Sequence, residues 1–150
     1  MESEIVIRQM RCEDLDSVLE VEKKSFTNPW SRLMFFDELQ NPRAHYLVAE
    51  VSGIIVAYAG LWTIMDEGHI TNIAVDPSYR RMGIGSRLME SVIEIAQRSK
   101  LRGLTLEVRV SNTEAISMYK RFGFKIEGLR KNYYSDTHED AFIMWYYLDI

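Results

Sequence analysis

The chain is short of the residues that build disulfide or metal frameworks: among 150 residues there is one cysteine, Cys12, and three histidines, His45, His69 and His138. A lone cysteine excludes an internal disulfide, and histidines this scattered give no metal-ligand spacing. No apolar run approaches the ~20 residues of a membrane-spanning helix, and the opening MESEIVIRQM lacks the basic-then-apolar order of a secretory signal. A basic excess is missing too. Eighteen Lys and Arg stand against 22 Asp and Glu, which argues against a nucleic-acid footprint and leaves attraction of a basic protein substrate open. The expectation is a soluble, cytoplasmic protein in a reducing compartment, with no metal, no nucleic acid and no membrane among its partners.

A hydrophobic content of 47% is enough for one packed core, and no repeat, linker or low-complexity segment divides the chain. A single domain over residues 1–150 is expected. Residues Ile5 to Met10 read as a short strand. Behind Glu13 and Asp14, Leu15, Val18, Leu19 and Phe26 fall at helical spacing. A second, short helix lies between Pro29 and Pro42. From Tyr46 to Val75 the period becomes two, with turn signals at Ser52-Gly53 and Asp66-Glu67-Gly68, which predicts a three-stranded antiparallel meander. Ile84, Leu88, Val92, Ile95 and Ala96 then form one face of a helix, and Leu104 to Val110 alternate as a strand. Ser111 to Glu114 reads as a capping box opening a helix that stops at Gly123. The chain closes as a hairpin, FKIEGLRKNYY and AFIMWYYL joined by the polar SDTHED. The fold class is α/β, a mixed, mostly antiparallel sheet flanked by helices, in which the strand-helix-strand crossover demands one parallel pair.

The most informative stretch is NIAVDPSYRRMGIGSRLM, Asn72 to Met89, where a strand runs into paired arginines, two glycines and a helix. The first amides of a helix lack carbonyl partners and its dipole favours an anion there. Gly83 and Gly85 would let the backbone approach a pyrophosphate, with Arg80 and Arg81 adding charge. From these residues alone, a plain turn with solvated arginines is the commoner reading of an isolated GxG. Two phosphate motifs are excluded: no Gly-Lys-Ser/Thr follows, and Leu88 stands where a dinucleotide fingerprint needs its third glycine.

Arg80-x-x-Gly83-x-Gly85 after NIAVDP resembles the acetyl-CoA signature of the GNAT N-acetyltransferases. Within that superfamily, NPW at 28–30, LEVRVSN at 106–112, AISMYKRFGF at 115–124 and RKNYYSDTHEDAFIM at 130–144 are similar to the RimI type, the ribosomal-protein-alanine N-acetyltransferases. The resemblance implies a GNAT-like sheet with a splayed parallel strand pair at the cofactor site. It also implies backbone at Ile73, Ala74 and Val75 pairing with the pantetheine arm, and amides from Arg81 through Met82, Gly83, Ile84 and Gly85 to Ser86 holding the pyrophosphate. Met82 departs from the Arg or Lys that many relatives carry there.

Acetyl transfer needs a neutral amine, a polarised thioester and a proton for the departing sulfur. By spacing, Glu107 is either a base or half of a surface pair with Arg109, and Tyr119 either an acid or a core tyrosine on the face of Ala115, Ile116 and Phe122. Asn112 either caps the helix or reaches a ligand. The resemblance implies Glu107 as general base, directly or through water, Tyr119 as general acid beside the sulfur, and Asn112 as a cofactor contact. It also implies Tyr133 and Tyr134 at the acceptor opening. Phe26 and Trp30 are further aromatic candidates for that groove, with a core role open for both. His69 and His138 receive no catalytic role.

The expected reaction is acetylation of a protein N-terminal α-amine, on a ribosomal protein beginning with alanine. Broader N-terminal scope on Ser, Ala, Thr or Met, acetylation of lysine or a small amine, and a non-catalytic acyl-CoA sensor are the alternatives. No motif encodes an oligomeric state or an auxiliary subunit.

Overall fold

A computed structural model describes residues 4–148. Seven strands form one sheet in the order β1-β2-β3-β4-β5-β7-β6. They are β1 (Ile5–Gln9), β2 (Ala44–Val51), β3 (Ile54–Ile64), β4 (Glu67–Val75), β5 (Gly103–Arg109), β6 (Lys125–Arg130) and β7 (Ala141–Tyr147). The helices are α1 (Leu15–Ser25), α2 (Arg32–Gln40), α3 (Ile84–Arg98) and α4 (Thr113–Phe122). All pairs are antiparallel except β4 with β5, the parallel neighbour that the α3 crossover requires.

Each face of the sheet is buried by a different helix pair. Ile84, Leu88, Met89, Val92 and Ala96 of α3 and Ile116 and Tyr119 of α4 join Leu47, Ala59, Leu61, Leu104, Leu106 and Met144 in the larger core. On the other face Leu15, Val18 and Val21 of α1 and Phe35 of α2 pack on Tyr46, Val48, Tyr58 and Ala74. Each fully buried large side chain contributes about 1.5–3 kcal/mol by leaving water.

Four local expectations are corrected. The β3–β4 turn is Met65-Asp66, so Glu67 and Gly68 already belong to β4. The first helix is preceded by a 3-10 turn at Cys12–Asp14 and ends at Ser25, before Phe26. The α4 cap is Asn112, whose Oδ1 accepts the Ala115 amide at 3.2 Å, and the Ser111 amide donates to Glu139 at 2.8 Å instead of taking part in a capping box with Glu114. Finally, β6 stops at Arg130 rather than running to Tyr134, and Asn132 in the loop beyond takes a left-handed backbone at φ 53°.

The decisive feature is where β4 and β5 part. Their ladder has three rungs, Glu67 with Gly103, Gly68 with Leu104 and His69 with Thr105. Two residues later a bulge interrupts β4: Gly60 pairs Asn72 and Leu61 pairs Ile70, which leaves Thr71 as the extra residue. Bulges bend and twist a strand. Gly60, beside this bulge, leaves no room for a side chain, since a Cβ there would clash with Thr71 Oγ1 and stand 2.5 Å from the Tyr46 ring. Beyond the bulge, Ile73, Ala74 and Val75 pair only with β3, and their edge toward β5 is free.

Candidate active site

The free edge of β4 opens into a cleft of about 340 Å³. Ile73, Ala74 and Val75 form one wall, the turn and first residues of α3 (Arg80, Arg81, Gly83, Ile84, Gly85, Ser86) a second, and Asn112, Ala115, Met118 and Tyr119 a third. The turn is shaped by two left-handed residues, Arg81 at φ 67° and Gly83 at φ 77°. No side chain caps α3, so the amides of its first turn remain available to a ligand. Gly85 keeps the passage open, because a Cβ there would sit 3.3 Å from Met118 Sδ and 3.9 Å from Val75. A free strand edge, uncapped helix amides and two arginines fit a long ligand with an amide arm and phosphates. Met82 is exposed and outside the lining.

Tyr119 enters the cleft from α4, its ring 5.7 Å from Phe124. It is 8% exposed, and burial pushes its phenol well above the usual range, so it holds its proton throughout neutral pH. Among the described residues nothing hydrogen-bonds its hydroxyl. Phe26 also borders this cleft.

Glu107 lies on β5, its side chain 12% exposed. His69 Nε2 meets Oε2 at 2.7 Å, and Arg130 Nε approaches Oε1 at 3.4 Å. The His69 hydrogen bond is the main influence holding the carboxyl below its ordinary value, and it outweighs burial, which acts the other way. Glu107 is therefore an ionised carboxylate. Its surface-pair alternative does not form, since Arg109 is committed to Asp136 at 2.9 Å and lies 3.6 Å from Glu139.

Tyr133 and Tyr134 meet edge to face at 5.0 Å in the β6–β7 loop. Arg109 stacks 3.9 Å over Tyr134, whose phenol burial pushes up to about 12, and Tyr133 is raised by burial and then by the charge of Glu107. Thr27 ties the α1–α2 segment to this loop, its hydroxyl donating to Asp136 at 2.7 Å. Trp30 is partly buried, its ring 5.2 Å from Phe35, and its amide donates to Glu22 at 2.9 Å.

Two residues that sequence reasoning passed over stand out. His69, from β4, holds Glu107. Glu22 is 1% exposed inside the α1 face, bonded to the Tyr58 hydroxyl and the Trp30 amide, and burial raises its carboxyl. The charged run around Glu22 hid it. Among the described residues no cluster suited to a metal ion occurs, and no helix is long and apolar enough to cross a membrane.

Residues 15–124 match the Acetyltransferase (GNAT) family. The chain belongs to the GNAT acetyltransferases. It is an acetyl-CoA-dependent N-acetyltransferase, and the cleft beside β4 has the features such a donor requires. A protein of Bacillus subtilis (strain 168), provisionally named a ribosomal protein bS18-alanine N-acetyltransferase, is 49% identical over 97% of both chains. The ribosomal protein bS18-alanine N-acetyltransferase of Escherichia coli (strain K12) is 36% identical over 92% of this GNAT chain and 94% of its own. A crystal structure of the Escherichia coli ribosomal-protein-S18-alanine N-acetyltransferase superposes with a TM-score of 0.91 at 34% identity, covering 98% of this chain and 96% of that one.

Proposed function

We propose that the enzyme acetylates the N-terminal α-amine of another protein, with alanine first and ribosomal protein bS18 as the acceptor. The observation that carries this reading is an ionised, largely buried Glu107 next to the tyrosine pair and just past the point where β4 and β5 diverge. The names of relatives aligned over nearly the whole chain support the same acceptor.

Acetyl-CoA, when bound along β4, supplies the acetyl group as an activated thioester. An α-ammonium has a pKa of ~8 against ~10.4 for lysine, so freeing it at neutral pH costs about 3 kcal/mol less. Glu107 accepts the proton that the amine releases as its nitrogen attacks. A carboxylate of low pKa is a modest base, which suits the more acidic α-ammonium. Tyr119 donates a hydrogen bond to the departing sulfur. Because burial raises its phenol, stabilisation of the thiolate by that bond is favoured over full proton transfer. Tyr133 and Tyr134 line the path of the incoming chain end, and Arg80 with the α3 amides holds the donor's phosphates.

The test is CoA release with peptides beginning Ala, Ser, Met or Pro and an N-terminally blocked peptide carrying an internal lysine. Turnover led by Ala and confined to free N-termini is the expected outcome. Turnover on the blocked peptide would assign a lysine acceptor, and acetyl-CoA binding without turnover on any amine would assign a sensor.

A further inference from the structure

The two oxygens of Glu107 are held unequally. Oε2 is in a 2.7 Å contact with His69 Nε2, while Oε1 faces Arg130 Nε only at 3.4 Å, and the Arg130 side chain is 54% exposed. His69 is itself well placed to be an anchor. It sits on the last rung of the β4–β5 ladder, opposite Thr105, so the seam that precedes the splay also fixes its backbone. Trp62 is its register partner on β3. Thr105 does not compete for the carboxylate, because its hydroxyl donates to the Met144 carbonyl at 3.0 Å.

We propose that His69 is the positioning residue of the base: it ties down Oε2 of Glu107 and leaves Oε1 to meet the acceptor amine. This rests on the reading of Glu107 as general base. The groups facing the carboxylate are His69 from β4, Arg130 from β6, and Tyr133 and Tyr134 from the β6–β7 loop. Arg109, on the same strand, is committed to the loop acids. Removing the imidazole therefore takes away the short hydrogen bond and leaves the exposed Arg130 guanidinium, 3.4 Å from Oε1, as the remaining charged partner of the carboxylate.

The experiment compares His69→Ala and His69→Gln, alone and with Glu107→Gln, reading kcat, KM for acetyl-CoA and the Glu107 titration by carboxyl 13C NMR. His69→Ala is expected to lower kcat about tenfold through loss of orientation, with KM for acetyl-CoA unchanged and the Glu107 titration moved upward. His69→Gln, whose amide N–H can donate to Oε2, restores most of kcat. On a Glu107→Gln background His69→Ala costs nothing more, since it acts through the carboxylate. Wild-type kcat and an unmoved titration in His69→Ala would overturn the proposal, as would failure of His69→Gln to rescue or an undiminished further loss in the double variant. Full activity in Glu107→Gln would instead remove the base reading, and the role of His69 with it.

Discussion

The cleft beside β4, which the proposed function gives to the donor, and the pocket around Glu107, which it gives to the base, both lie past the point where β4 and β5 diverge, yet they are built differently. The cleft is made of backbone: a free edge at Ile73 to Val75, a turn with left-handed residues at 81 and 83, and uncapped amides of α3. The pocket is made of side chains gathered from β4, β5, β6 and the β6–β7 loop, namely His69, Glu107, Arg130 and the tyrosine pair. Backbone sites tolerate changes of side-chain identity but not of shape. Side-chain sites do the reverse.

The sharpest way to test that division is Glu107→Gln, which preserves shape and removes the proposed base. We expect kcat to fall by about 10² to 10⁴, with acetyl-CoA affinity by calorimetry unchanged. Gly85→Val is the opposite experiment. Its side chain would crowd Met118 and Val75 and fill the cleft, so KM for acetyl-CoA should rise at least about tenfold, by analogy with overpacking costs of ~1–3 kcal/mol, while kcat at saturation changes less. Tyr119→Phe, measured as kcat on the Ala peptide, should cost about tenfold, the worth of one hydrogen bond to a charged group at ~1.5 kcal/mol or somewhat more. The smallest change is Met82→Arg. It adds a charge beside the phosphate turn and should tighten acetyl-CoA about threefold at low salt, fading as salt is raised. Equal losses of kcat from Gly85→Val and Glu107→Gln would break the comparison.

The pocket also makes a pH statement. Glu107 titrates below its unfolded value, so its stabilising contribution is complete above the ordinary carboxylate range and is lost as pH falls through the depressed value. It therefore places no activity limb near neutrality. The acid limb of kcat/KM should follow the acceptor amine, shifting when peptides with α-amines of different basicity are compared.

This contrast also explains what could be read in advance. The cleft lies within contiguous motifs, so Arg80 to Ser86, the alternation of β5 and the apolar face of α3 were all visible in the sequence. The partners of Glu107 were not. His69 is 38 residues away and Arg130 is 23, and only strand order and register bring them to one carboxylate. Periodicity could place Arg109 on the face of Glu107, but not foresee that loop acids at 136 and 139 would claim it. Asn112 and Ser111 are both good caps, and spacing alone left open which of the two would take the Ala115 amide.

The three-rung seam between β4 and β5 has a mechanical consequence. Among the described residues, the β1–β4 blade and the β5–β7–β6 blade have no strand pairing past His69 and Thr105, and beyond that seam they are joined through the shared core under α3 and α4. A donor held in the wedge, as proposed, would act as a splint between them. At a hundred times Kd such binding would add about 2.7 kcal/mol to the folded state. The substrate of the proposed reaction would thus also brace the protein, and resistance to protease should rise when acetyl-CoA is added.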